Sequence, residues 1–455
     1  MYIKQIYTAC LAQASYYIES EGVAAVVDPI RDVDIYLELA RRRQARIKYV
    51  FLTHFHADFV AGHIDLASKA GSLIVLGPSS HPGYRALISY DGELFSIGKI
   101  KIKVLSTPGH TLESCCFLVM DEEGKMNSVF TGDTLFVGDV GRPDLLSGNL
   151  GSEQLASMLF DSLENRIKTL PDDVVVYPGH GAGSACGRNL GKETVSTIGA
   201  EKQNNYALRE ITREEFVKLV TADQPLAPPY FFKDALINVN GYQHLDKVLR
   251  KNLVPLHAVD FKSLVSDGVL VLDTRSPKDF AEGFIPGSIN IGLDGQFAIW
   301  AGTLIDFDRP IVLVTDPGRE REAVVRLARI GYENVPGYLE GGMEAMKVRG
   351  EKLDRIPALS IDEVPAGAVL LDVRKRTETG KERLVDAIAI PLDELFSKMN
   401  MLDKNISYAV CCQSGYRSMI AASILLKSGF KNIFNINGGV NALRQSHPSL
   451  LIIAP

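Results

Sequence analysis

Short apolar runs punctuated by polar turns dominate the first part of the chain. Residues 23–27, 47–52, 72–76, 100–105, 115–120, 128–131 and 174–177 are rich in β-branched, aromatic and other apolar side chains. Their length of four to six residues, with turn residues at both ends, predicts strands. Between them, residues 34–43 and 152–169 carry apolar positions at helical spacing. The alternation predicts α/β layering with loops at the strand ends. A helical region over 192–221 then leads into Pro225-Leu226-Ala227-Pro228-Pro229-Tyr230, an extended connector by its proline content. The segment from there to about Leu256 is expected to pack back on the first domain.

The remainder is an internal repeat. Leu270-Val271-Leu272-Asp273-Thr274-Arg275 answers to Val369-Leu370-Leu371-Asp372-Val373-Arg374, and Arg329-Ile330-Gly331-Tyr332 to Lys427-Ser428-Gly429-Phe430. Each copy ends on a double glycine, Gly341-Gly342 and Gly438-Gly439. Copies about a hundred residues long, each with its own strands and helices, are tandem small α/β domains and not solenoid units.

A chain of 455 residues exceeds one ordinary core and predicts two to four domains. With 23% charged residues and a net charge of -6, nothing in the composition calls for nucleic acid or a membrane surface. The N-terminus lacks a secretory pattern and no apolar stretch reaches membrane-spanning length, so the expected location is the cytoplasm. The six cysteines, Cys10, Cys115, Cys116, Cys186, Cys411 and Cys412, include two adjacent pairs and leave 187–410 with none. That layout suits thiol chemistry better than a disulfide framework. Cys10 is expected in the core, and one of Cys115 and Cys116 must face it.

Candidate chemistry gathers at strand ends. Thr53-His54-Phe55-His56-Ala57-Asp58-Phe59 follows the run Tyr49-Val50-Phe51-Leu52, and later runs end in Pro108-Gly109-His110-Thr111, Thr131-Gly132-Asp133-Thr134 and Pro178-Gly179-His180-Gly181. Imidazoles and carboxylates recurring in this order across one domain predict a metal site. His63, His81, His244, His257 and His447 lie outside that order and read as ordinary surface or core residues.

These segments, with the run from Thr131-Gly132-Asp133 to Gly141-Arg142-Pro143-Asp144 and Tyr177-Pro178-Gly179-His180-Gly181-Ala182-Gly183, resemble the metallo-β-lactamase fold and, within it, the persulfide dioxygenases. The resemblance implies His54, His110 and Asp133 as ligands of one Fe(II), with His56, Asp58 and His180 orienting those ligands or binding the metal more weakly. Two-metal members of the fold carry a histidine directly after the aspartate, where this chain has Phe59; a phenyl ring has no lone pair, which weakens a dimetal hydrolase reading. Two imidazoles and one carboxylate suit non-haem iron. The implied reaction oxidises the terminal sulfur of a low-molecular-weight persulfide with O2 to sulfite. Arg142 pairs with an anionic part of the carrier thiol, helps position a loop, or forms a salt bridge to Asp139 or Asp144. Cys186, six residues after His180, is a candidate thiol for receiving sulfur beside the metal.

Cys412-Gln413-Ser414-Gly415-Tyr416-Arg417-Ser418 sits between an apolar run and a helical pattern at 419–426. Backbone N–H groups at a helix start favour a thiolate there, and Arg417 adds positive charge. The loop resembles that of rhodanese (thiosulfate sulfurtransferase) domains. The resemblance implies Cys412 as sulfur carrier, with Arg417, Ser414, Gly415 and Tyr416 around the substrate; Cys411 reads as core. The first copy also resembles rhodanese, but anchoring the copies on Gly331 and Gly429 brings Val314 onto Cys412 and Arg319 onto Arg417, and the copy contains no cysteine. It is expected to be inactive, serving as spacer, interface or docking surface.

The expected architecture is an α/β multidomain chain: an αββα metallo-β-lactamase-like sandwich over 1–250, an inactive rhodanese-like domain over 257–352 and an active one over 357–455. As a whole it resembles bacterial persulfide dioxygenase–rhodanese fusions of sulfide detoxification, which implies thiol persulfide, O2, sulfite and thiosulfate as small-molecule partners and a homo-oligomer, dimer or tetramer. The competing expectation is a zinc-dependent, glyoxalase-II-like thioesterase with an appended sulfurtransferase.

Overall fold

The structure, a computed structural model, describes residues 1–145, 150–188, 190–222, 224 and 226–453. Pro225 of the predicted connector lies outside the described residues. The chain divides into two compact units, Met1–Val248 with Leu327–Tyr332, and Leu249–Arg326 with Glu333–Pro455.

The first unit is built on two six-stranded sheets. One orders Tyr2–Thr8, Gln13–Ser20, Val23–Val27, Arg46–Phe51, Leu73–Leu76 and Leu87–Ile88; the other orders Ser196–Thr197, Val175–Pro178, Met126–Gly132, Cys115–Met120, Ile100–Ser106 and Leu94–Ile97. Alternation along Ile100–Ser106 explains the layering, since Ile100, Ile102 and Val104 are buried and Lys101 is exposed. Tyr16, Phe51, Phe117 and Phe130 belong to the core cluster that fills the space between the sheets. Helix Asp34–Arg42 contributes Tyr36 and Ala40 to a second cluster with Tyr17, Val26 and Val50. Leu155 and Leu159 of Ser152–Ser162 and Phe216 of Arg213–Thr221 are fully buried, and Leu159 and Phe216 share a third cluster with Cys116, Leu118 and Val176. The result is helix, sheet, sheet, helix. Cys115 and Cys116 belong to opposite clusters, so both are core, a correction to the expectation of one; a strand sandwiched between layers has no exposed face.

Two predicted helices differ in detail. The one expected over 152–169 is an α-helix only to Ser162 and continues as a π-helix, Leu163–Ile167. Its apolar seam, Leu155, Leu159, Leu163 and Ile167, is spaced by four residues and would precess around a 3.6-residue turn; the wider turn keeps it buried. The region over 192–221 is broken into Ile198–Asn204, the 3-10 turn Tyr206–Leu208 and Arg213–Thr221. Thr197, Asn205 and Thr212 each accept a backbone N–H from the turn that follows, so each starts a new segment. The strands Tyr2–Thr8 and Gln13–Ser20 went unpredicted, because tyrosines, serines and glutamines there blur the apolar runs.

The second unit contains two parallel five-stranded sheets of the same order. The first runs Pro255–Leu256, Gly337–Leu339, Ile311–Val314, Leu270–Asp273, Ile289–Asn290; the other runs Ala358–Leu359, Asn432–Ile436, Ser407–Cys411, Val369–Asp372, Ile388–Ala389. Their registers correct the sequence alignment. Asp273 pairs with Val314 as Asp372 pairs with Cys411. Thr274 N–H donates to the Val314 carbonyl as Val373 N–H does to Cys411. A Cβ on Gly342 would crowd the Thr315 carbonyl as one on Gly439 would the Cys412 carbonyl. Thr315, not Val314, therefore stands where Cys412 stands. The stretch between the strand and Gly331 is one residue shorter than its counterpart before Gly429, so an anchor on those glycines slips by one.

No helix among the described residues is long and apolar enough to cross a membrane.

Candidate functional site

The strand Arg46–Phe51 delivers His54, His56 and Asp58; Ile100–Ser106 leads to His110, Met126–Gly132 to Asp133, and Val175–Pro178 to His180. All six side chains are buried. Ligand atoms of His54, His110 and Asp133 lie within 4.8 Å of one another, as do those of His56, Asp58 and His180, and those of Asp133, His180 and Cys186.

Three imidazoles are oriented by what their Nδ1 atoms touch. His110 Nδ1 is 2.8 Å from the Arg142 carbonyl and His180 Nδ1 is 3.2 Å from the Ala12 carbonyl. A carbonyl only accepts, so Nδ1 carries the proton and Nε2 keeps its lone pair. His54 Nδ1 is 3.0 Å from Thr53 Oγ1, whose own hydrogen goes to Asp28 Oδ2, and the same tautomer follows. All three Nε2 atoms face Asp133: His110 at 3.5 Å and His54 at 3.9 Å from Oδ2, His180 at 3.6 Å from Oδ1. His180 Nε2 also lies 3.4 Å from Asp58 Oδ2. Burial, with His56, His110 and His180 adding to it, holds His54 well below the ordinary imidazole range, so it presents a neutral nitrogen at pH 7.

His56 is set differently. Its Nε2 lies 3.2 Å from Asp28 Oδ1. Burial opposes its charged form, but Asp28 and, behind it, Asp58 and Asp133 outweigh burial and raise its pKa. Its ring lies against Phe59, tilted by 35° with the centroids 4.3 Å apart.

Both oxygens of Asp133, Asp58 Oδ1 and His180 Nε2 are buried without a hydrogen-bond donor or acceptor among the described residues. Unpaired buried carboxylate oxygens facing imidazole lone pairs are costly unless a cation satisfies both. The donor set fits a divalent metal ion, with His54, His110 and Asp133 as one set of holders and His56, Asp58 and His180 as a second.

Cys186 is brought to this cluster, 1% exposed. Burial, with Asp58 and Asp133 reinforcing it, pushes its thiol well up, so it is protonated at neutral pH. Arg142 Nε and Nη2 each donate to the Asp144 carboxylate at 2.7 Å, and Asp139 receives Tyr206 O–H and Arg188 N–H. Its carbonyl anchors His110 and its N–H donates to the Cys186 carbonyl, so Arg142 ties two site residues together.

Sequence reasoning missed three contributors. Asp28 accepts both Thr53 N–H and Thr53 O–H at 2.8 Å, clasping the start of the motif. Asn238 donates to the carbonyls of His56 (2.7 Å) and Phe59 (2.8 Å) and accepts Ala61 N–H, so the segment after the connector does pack on the motif. Tyr230 is buried, and its phenol is raised first by burial and next by Asp58. None of the three has a sequence neighbour that marks it; the proline-flanked position of Tyr230 was the nearest signal. His63, expected to be ordinary, is fully buried and pushed down to about 3 by burial, His56 and Arg31.

The second cluster is the loop after Ser407–Cys411. Gly415 N–H donates to Cys412 Sγ at 3.1 Å, and Cys412 Sγ donates to Ser418 Oγ at 3.4 Å. Cys412 is 1% exposed, and helix Tyr416–Lys427 begins four residues after it. A sulfur that receives an N–H at the start of a helix is stabilised as an anion. The double glycine serves this loop: Gly439 (φ +57) leaves no room for a Cβ beside the Cys412 carbonyl, which accepts Val440 N–H. Arg417 is at the loop but bound at 2.5 and 2.7 Å by Glu378. Ser414 is exposed, and Tyr416 O–H donates to the Gly292 carbonyl. Cys411 points into the core of the domain, and burial raises its thiol.

Residues 8–180 match the model described as the metallo-beta-lactamase superfamily, and residues 257–348 and 359–446 match that of the rhodanese-like domain. A crystal structure of a metallo-beta-lactamase from Staphylococcus aureus subsp. aureus COL is 35% identical with a TM-score of 0.66, covering 74% of this chain and 98% of that one. The crystal structure of ETHE1 from Myxococcus xanthus is 30% identical with a TM-score of 0.46, covering 53% of this chain and 99% of that one. Among curated relatives, the probable hydroxyacylglutathione hydrolase glo2 of Schizosaccharomyces pombe is 32% identical over 35% of this chain; the match spans 59% of that relative's length.

Proposed function

We propose, from the premise that the chain belongs to the metallo-β-lactamase superfamily and continues into rhodanese-like domains, that it oxidises thiol persulfides and moves sulfane sulfur. The first unit would convert R-S-S⁻, dioxygen and water to R-S⁻, sulfite and two protons. The four electrons lost by the outer sulfur are the four that dioxygen takes up. Iron(II) held by His54, His110 and Asp133 would supply the dioxygen chemistry that side chains lack. Thr53, Arg142 and Ala12 hold the imidazoles in one tautomer, and Asn238 and Asp28 fix the loop that carries them.

In the last domain the Cys412 thiolate attacks the outer sulfur of thiosulfate. A new S–S bond forms as the old one breaks, and sulfite leaves with the electron pair. Reversed, the Cys412 persulfide donates its sulfur to sulfite and yields thiosulfate. Gly415 N–H stabilises the anionic sulfur on either side of the step.

Phe59 carries the choice of a single iron over a dimetal hydrolase. Its phenyl ring lies against His56, where a histidine would complete the second donor set. The competing reading, a zinc-dependent thioesterase with an appended sulfurtransferase, draws on that second set, His56, Asp58 and His180, and on relatives named as hydroxyacylglutathione hydrolases. Phe59→His separates the two. The variant is expected to take up a second metal ion per chain and to lose most of its persulfide-dependent oxygen uptake, measured by elemental analysis and an oxygen electrode. A wild type that already holds two metals, unchanged by the substitution, would favour the hydrolase.

A further inference from the structure

The helix that starts at the Cys412 loop, Tyr416–Lys427, runs beside the edge strand Ile289–Asn290 of the preceding domain. Three polar contacts mark its course. Tyr416 O–H donates to the Gly292 carbonyl at 2.7 Å, Asn290 N–H to Ser423 Oγ at 3.1 Å, and Lys427 Nζ to the Gly287 carbonyl at 2.7 Å. The first of them falls within the loop itself.

The Tyr416 ring sits in a notch that two glycines leave open. A Cβ at Gly295 would come within 2.3 Å of Tyr416 Cζ, and one at Gly292 within 3.4 Å of its Cε2. The turn Gly292-Leu293-Asp294-Gly295 is braced from behind. Arg319 donates to Asp294 at 2.9 and 3.1 Å, and Arg326 donates to the Leu293 carbonyl. Arg319 belongs to the stretch after Thr315 that replaces the cysteine loop in the middle copy. That stretch, which has no thiol to hold, supports the notch instead.

We propose that the middle domain is a clamp on the sulfur-carrying loop and that Tyr416 is its positioning residue. Gly415, the direct neighbour of Tyr416, turns its N–H onto Cys412 Sγ from a left-handed conformation, φ +104. Seating Tyr416 in the neighbouring domain fixes the peptide that follows Gly415 and keeps that N–H aimed. With the anchor loosened, the loop samples other orientations and the sulfur anion loses part of a charge-assisted hydrogen bond. The proposal rests on reading Cys412 as the sulfur carrier and adds to it what the cysteine-free copy contributes.

The test uses the full chain and the variants Tyr416→Phe, which keeps the ring and loses the donor, and Gly295→Ala, which crowds the notch. Alkylation of Cys412 by iodoacetamide is followed by peptide-resolved mass spectrometry from near pH 6 to near pH 10. Near pH 7 each variant is expected to react about threefold to tenfold more slowly than the wild type, the effect of weakening one hydrogen bond to an ion. Near pH 10 the rates should converge, because thiols as a class are largely ionised there. Rates that match the wild type at every pH overturn the clamp, as do rates lowered equally at every pH, which would mark lost access. Should Gly295→Ala fail to fold, Tyr416→Phe decides alone. Incubating the wild type with thiosulfate tests the underlying reading separately. If Cys412 gains no sulfur atom, the carrier reading fails while the alkylation profile still scores the clamp.

Discussion

Replacing His110 by alanine is expected to abolish persulfide-dependent oxygen consumption while leaving sulfur transfer through Cys412 within about twofold of the wild type. His110 Nε2 lies 3.5 Å from Asp133 Oδ2, and its Nδ1 is anchored on the Arg142 carbonyl. Alanine removes a nitrogen donor from the set and frees Asp133 from one of the imidazoles it faces. Losing an outer partner of a metal ligand costs about tenfold to a hundredfold, so losing a ligand outright should exceed that. Iron content per chain should fall in parallel. The Arg142 carbonyl is left without its donor, a penalty of about 1–3 kcal/mol, so circular dichroism must accompany the assay. Sulfur transfer lost together with oxygen uptake in a folded variant would mean that the two chemistries are not separable.

The converse substitution, Cys412→Ser, should reduce thiosulfate-dependent sulfur transfer on the order of a thousandfold or more, since a hydroxyl neither ionises near neutral pH nor carries sulfur as a persulfide. Oxygen uptake should stay within about twofold. Serine still accepts Gly415 N–H and fills nearly the same volume, so little stability is lost. Cyanolysis of bound sulfur reports the first effect and an oxygen electrode the second. Residual transfer near the wild-type rate would shift the carrier role to another of the buried thiols, among which Cys186 stands beside the metal ligands.

Both sites were legible because their residues lie directly after strands, where period and composition are least ambiguous. His54, His110, Asp133 and His180 each follow an apolar run within a few positions, and in this fold those ends converge. What was not legible came from long sequence separations. Asn238 reaches His56 across 182 residues, and nothing in its local sequence marks it as a brace. Asp28 holds Thr53 from 25 residues away, again with no local signal. The identity of the residue replacing Cys412 failed for another reason. A one-residue difference between the copies left the motif intact but moved its neighbours, and only the pairing of Asp273 with Val314 exposed Thr315 as the equivalent. In the Cys412 loop, Arg417 is bound by Glu378 and Tyr416 by Gly292. Those partners lie 39 and 124 residues away, beyond any local pattern.

Whether the first unit is an iron-dependent persulfide oxygenase is decided on protein purified without oxygen. Its metal is quantified, and oxygen uptake is then recorded as glutathione persulfide or coenzyme A persulfide is added. About one iron per chain is expected, bound through the two-histidine, one-carboxylate set, with one dioxygen consumed for each sulfite formed. Zinc at the site, no uptake with either persulfide, and cleavage of a glutathione thioester would contradict it and place the first unit among the hydrolases.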